Sequence, residues 1–95
     1  MEAQLKNILL NLVLLIDDRF SVLCKYRCRN YSQFNEQVLI RGEEDSQMAP
    51  IELTISYHIS SQKSYFRENS ETLFQIMRIK QLGRGVGVTI NLIVL

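Results

Sequence analysis

The sequence predicts an α+β domain in which one sheet is covered on one face by helices. Three observations carry this reading. Apolar residues at helical spacing fill positions 5–16. Apolar–polar alternation fills positions 51–59 and 86–95. A second helical pattern lies between those two alternating stretches. A chain of 95 residues suffices for one hydrophobic core and not for two, so 1–95 reads as a single domain. With 46% apolar and 22% charged residues it belongs with folded chains rather than disordered ones.

The first helix is the dominant element. At about 100° per residue, Leu5, Ile8, Leu9, Leu12, Leu15 and Ile16 fall on one broad face. Lys6, Asn7, Asn11, Asp17 and Asp18 mark the polar side, yet Leu10 and Leu14 sit in its middle and Val13 at its edge. A helix with one apolar face is covered by its own domain, whereas this one carries a second, narrower stripe. Its uninterrupted apolar runs, 8–10 and 12–16, fall well short of the roughly 20 residues that span a bilayer. Glu2 at the start and the Asp17-Asp18-Arg19 sequence after the run do not suit a signal peptide. No membrane association is expected.

After Asp18 the period changes. Phe20, Val22, Cys24, Tyr26 and Cys28 alternate with Ser21, Leu23, Lys25, Arg27 and Arg29, which predicts a strand whose outer face turns basic. Residues 30–35 read as a connection and 37–41 (QVLIR) as a second strand. Residues 42–50 (GEEDSQMAP) form a loop, with Gly, three consecutive acids and the one Pro of the chain. Over 51–59, Ile51, Leu53, Ile55, Tyr57 and Ile59 face one way and Glu52, Thr54, Ser56 and His58 the other, a half-buried third strand. Asn69 or Ser70 then caps a helix with Glu71 in its first turn. Its core face is expected to be Leu73, Phe74, Ile76 and Met77, which share an arc of about 160°. Ile79 and Leu82 fall outside that arc, and the competing reading makes 75–81 a strand. Gly83 ends the helix. Residues 86–95 form the last strand, apolar on both faces near its end and so expected to lie centrally or under a helix. The expected order is helix, three-stranded antiparallel meander, second helix and C-terminal strand. One sheet would carry the helices on one face and Lys25, Arg27, Glu52, Thr54, His58 and Thr89 on the other.

The chemistry-bearing residues are sparse. Cys24 and Cys28 on one strand would lie roughly 13 Å apart, too far for a disulfide. Reduced thiols point to a cytoplasmic protein. With His58 they offer three metal ligands where structural zinc takes four, and the strand reading puts His58 on the opposite face, so neither a metal nor a cofactor is expected. Ser56 and Ser60 flank His58 at about 7 Å along a strand, beyond hydrogen-bond reach for a nucleophile and base. Glu43, Glu44 and Asp45 lack the alternation of a calcium loop. The glycines at 83, 85 and 87 precede a strand, whereas phosphate-binding glycines open a helix. An enzyme is not expected.

Two binding readings remain. The first is a small non-catalytic interaction module, an adaptor-like domain that forms a homodimer or docks on a protein partner through the first helix. Leu10, Val13 and Leu14 would bury against the partner, with Asn7, Asn11 and the Asp17-Asp18 pair limiting register. The bland reading has the second helix covering that stripe. The alternative is a nucleic-acid-binding accessory protein. Positions 19–35 hold four cations and no acid, and Lys25, Arg27 and Arg29 interleave with Tyr26 and Tyr31 for phosphate contact and stacking. A formal net charge of +1 disfavours it.

Overall fold

The computed structural model describes residues 2–57 and 70–94. It is α+β and mostly helical, with α1 at Glu2–Lys25, α2 at Tyr31–Ile40, β1 at Ile51–Tyr57, α3 at Ser70–Leu82 and β2 at Val88–Val94. The two strands form one parallel sheet. The expected three-stranded antiparallel meander is therefore not found: its first two strands, 20–28 and 37–41, are helical apart from the turn at 26–28 and the cap at Arg41, and its third is β1.

The reason lies in α1. Its buried stripe of Leu9, Leu12 and Ile16 continues, through half-buried Arg19 and Phe20, to Leu23. These steps of three and four residues are helical spacing. Alternation over 20–28 would have pointed Leu23 outward and Cys24 inward, and the structure has the reverse. Asp17 and Asp18 do not end the helix because both lie on its exposed side, where Asp17 faces Arg78 of α3 at 3.9 Å. The helix ends about two turns later, at Lys25. Cys28 N–H donates to the Leu23 carbonyl and Arg27 N–H to that of Cys24, with Arg27 in the left-handed region at φ 56°. This is a Schellman cap with arginine where glycine is usual. A left-handed non-glycine residue costs about 1–2 kcal/mol, partly offset by the entropy glycine loses on folding. Arg27→Gly should therefore stabilise the domain by about 0.5–1 kcal/mol, read as a melting point raised by roughly 2–5 °C.

Helix α2 follows at once. The Asn30 side chain accepts from Gln33 N–H at 2.9 Å, and Gln33 Oε1 reaches back to the Arg29 N–H at 2.7 Å. Phe34 and Val38, one turn apart, are its buried residues, while Leu39 and Ile40 are exposed. A second Schellman cap closes it: Gly42 at φ 76° donates to Leu39 and Glu43 to Val38. The β-branched residues at 38 and 40 favour a strand only weakly against two well-made caps and a buried face.

A loop with a short 3₁₀ turn at Glu44–Ser46 leads to β1. Asn35 holds it through both sides of its amide, donating to the Met48 carbonyl at 3.0 Å and accepting from Met48 N–H at 2.7 Å, so that Met48 is buried. Arg19 ties α1 to both strand entries. One guanidinium nitrogen donates to the Val86 carbonyl at 2.6 Å and the other to the Ala49 carbonyl at 2.8 Å. Burial pushes its pKa down, and Tyr31 pulls it the other way.

The strands pair from Ile51↔Val88 to Tyr57↔Val94. The face carrying Ile51, Leu53, Ile55, Val88, Ile90 and Leu92 packs into the core. On the other face Glu52, Thr54, Ser56 and Thr89 are exposed, as expected. Lys25 and Arg27 are at the end of α1 and not on this face, and His58 lies outside the described residues. Strand β2 lies under α3, as one of the two expected placements had it, with Val88 and Ile90 sharing the core with Ile76 and Ile79; it is not central, since among the described residues it pairs with β1 alone.

Helix α3 is where expected and buries Ile76 as expected, but it is rotated so that Ile79, outside the expected arc, is inward and Leu73, Phe74 and Met77 are not. Thr72, Ile76, Ile79 and the following Gly83 are buried, whereas Phe74 and Met77 are 66% and 50% exposed and Leu73 is also at the surface. Ile76 and Ile79 share the core with Leu9, Leu12 and Ile16. After Leu82 the chain makes a 3₁₀ turn at Gly83–Val86 and enters β2 through Gly87 at φ 78°.

Candidate functional site

The outward side of α1 is an exposed apolar stripe. Leu10 and Leu14 are 47% and 54% exposed, and Asn7 and Asn11 beside them are open to solvent. Val13 is half-buried and packs against the core, so it sits at the margin of the stripe. Helix α3 does contact α1, but its buried Ile76 and Ile79 meet the core that holds Leu9, Leu12 and Ile16. Leu10 and Leu14 stay uncovered by it. Ile8, expected in the core face, is also exposed, while Leu5 and Leu15 are half-buried.

A second stripe escaped the sequence reading. Leu73, Phe74 and Met77, expected to be core, lie on the outward side of α3. The 3.9 Å pair of Asp17 with Arg78 borders both stripes. At 100° per residue Asp17 is about 20° from Leu10 around α1, and Arg78 about 40° from Phe74 around α3. The signal was present as i,i+3 and i,i+4 apolar spacing, but the residue types did not reveal which way it pointed.

The basic residues gather around the end of α1. The Tyr26 ring, partly exposed, has Lys25 Nζ at 5.7 Å and Arg41 Cζ at 5.1 Å from its centroid, and meets Phe34 edge-on at 5.6 Å. Arg27 and Arg29 are exposed nearby in sequence. Arg41, which the sequence reading did not include, also lies 3.6 Å from Glu43. Tyr31 is half-buried, with its ring against Gly87, where a Cβ would come within 3.0 Å of it. An open cleft of about 460 Å³ lies between α1 at Arg19, Val22 and Lys25, Phe34 of α2, and Met48. Arg19, one of the charged residues lining it, is held by two backbone carbonyls.

Cys24 is exposed on α1 and Cys28 half-buried beyond its end, both as free thiols. The described residues bring no three of His, Cys, Asp and Glu together. No described helix is long and apolar enough to cross a membrane. Compared with family models, with curated proteins and with solved structures, the chain matches none.

Proposed function

We propose that the protein is a small non-catalytic interaction module that associates through the outward side of α1. Its first partner on this reading is a second copy of itself. The observation that carries the reading is the exposure of Leu10 and Leu14 on a helix whose opposite stripe already fills the core. Burying one leucine side chain is worth roughly 1.5–3 kcal/mol, so an i,i+4 pair on each of two copies is a substantial drive. The exposed Leu73, Phe74 and Met77 on α3 extend the apolar surface available to a partner. A two-fold arrangement pairs the same patch with itself, and Asn7 and Asn11 at its border supply polar groups that favour one register.

The test is mass in solution across a concentration series, for the wild type and for Leu10→Asp/Leu14→Asp. A dimer is expected for the wild type and a monomer for the variant, with an unchanged melting curve at low concentration. A wild type that stays monomeric at high concentration removes self-association. A variant that still dimerises removes α1 from the interface.

A second reading has one observation in its favour, the partly exposed Tyr26 ring flanked by Lys25 and Arg41 with Arg27 and Arg29 close in sequence. It makes the end of α1 a phosphate-contacting, base-stacking surface for single-stranded nucleic acid. Binding by this surface would weaken steeply as salt rises, and salt-insensitive binding or none at low salt removes it.

A further inference from the structure

Strand β2 has one long edge that no described strand pairs, and a basic groove runs along it. The groove, about 340 Å³, is lined by Lys80 and Arg84 on one side and by residues 88–92 on the other. We infer that it binds an acidic segment of another protein in extended conformation, which adds to β2 as a third strand.

The direction of the β2 backbone groups supports this. Ile51 N–H donates to the Gly87 carbonyl, and Ile51 is in register with Val88. Backbone groups alternate sides along a strand, so Gly87, Thr89, Asn91 and Ile93 direct theirs at β1, and Val88, Ile90 and Leu92 direct theirs at the open edge. The Val88 carbonyl is closed off by Gly83, which packs directly against it. The N–H and C=O groups of Ile90 and Leu92 are then the pairing template. A peptide that takes them gains main-chain hydrogen bonds without any demand on its sequence.

Charge sets what the peptide must be. Lys80 and Arg84 are exposed, and neither makes an ion pair with a described residue; the ion pairs there are Arg41 with Glu43 and Arg78 with Asp17. From residue 72 on, the chain has three cations and no acid. Glu52, the acid of β1, is held on the exposed sheet face by Asn91 at 2.5 Å. Lys80 lies in the last turn of α3 and Arg84 in the 3₁₀ turn that follows it, so at about 1.5 Å per residue in the first and about 2 Å in the second the two are separated by about 7 Å along the axis. Alternate side chains of a strand are about 6.7 Å apart, so acids at every second position match the two cations. A second copy of β2 on this edge would bring another Lys80 and Arg84 towards the first pair and is disfavoured. The segment 58–69 carries Lys63 and Arg67 against Glu68 and does not supply the needed charge.

The probe is a short fluorescent peptide of alternating Val and Glu, with a Val–Lys counterpart and a Val–Glu version whose backbone is N-methylated at alternate residues. Binding is followed by anisotropy and by amide shifts and hydrogen exchange of the protein. The Val–Glu peptide is expected to bind, to shift and protect the Ile90 and Leu92 amides, and to weaken by about tenfold or more with Lys80→Gln/Arg84→Gln. The same affinity is expected with Leu10→Asp/Leu14→Asp, which separates this surface from that of α1. No binding overturns the inference, as do equal binding of the Val–Lys peptide or an affinity indifferent to the Lys80 and Arg84 changes. Retained binding by the N-methylated peptide overturns strand addition. Ile90 and Leu92 amides already protected without peptide show the edge to be taken and overturn it too.

Discussion

Gly83→Ala should cost the domain about 3 kcal/mol or more, while Gly85→Ala, two residues on, should change its stability by no more than about 0.5 kcal/mol. A Cβ at Gly83 would overlap the Val88 carbonyl oxygen and crowd the Val88 Cβ. A carbonyl oxygen belongs to the backbone and cannot rotate away, so the 3₁₀ turn and the entry of β2 would have to separate. Their separation would also disturb the Arg19 hydrogen bond to Val86 and the pairing of Ile51 with Gly87. At Gly85 a Cβ meets nothing within 4 Å. Native domains hold only about 5–15 kcal/mol in all, so the first substitution removes a large share of it. Urea midpoints of the two variants against wild type decide the matter. Equal midpoints would mean that the turn does not pack on β2 in this way.

The β1 alternation at 51–57 has one buried face and lies where it was expected. Helix α3 also lies where expected, with Gly83 following it as the stop, although 75–81 fitted a strand as well. The region 20–41 failed for a physical reason. Phe20 to Cys28 alternates, yet Leu9, Leu12, Ile16 and Leu23 also fit one helical stripe, whose continuation past Asp18 is obscured because it passes through Arg19. Two signals favoured helix: no glycine or proline occurs before Gly42, and Asn30 with Gln33 three residues later is a helix-start signature. Of the candidate site, Leu10 and Leu14 were legible because they interrupt an otherwise polar side. Lys80 and Arg84 beside the β2 edge were not, because the groove exists only once α3 and β2 are brought together.

Ile76→Ala and Phe74→Ala should differ by several kcal/mol although they are two residues apart on one helix. Ile76 is wholly buried among Leu9, Leu12, Ile16 and Ile79, and truncating it should cost about 2–5 kcal/mol, part transfer and part cavity. Phe74 is 66% exposed, so its truncation should stay within about 0.5 kcal/mol, with alanine's better helix propensity tending to compensate. Hydrophobic spacing alone would bury both, since Phe74 and Ile76 share the expected core arc with Leu73 and Met77. The buried stripe instead contains Thr72, whose hydroxyl has no hydrogen-bond partner among the described residues, and Gly83, whose lack of a side chain lets the backbone of β2 approach. Close approach rather than apolar content selects that face. The larger side chains left outside are then free for a partner, as Leu10 and Leu14 are on α1. If they serve one, Phe74→Ala should weaken self-association while leaving the monomer's urea midpoint in place, and Ile76→Ala should lower the midpoint first. A Phe74 variant that unfolds as early as the Ile76 variant would place the aromatic ring in the core and remove α3 from the proposed interface.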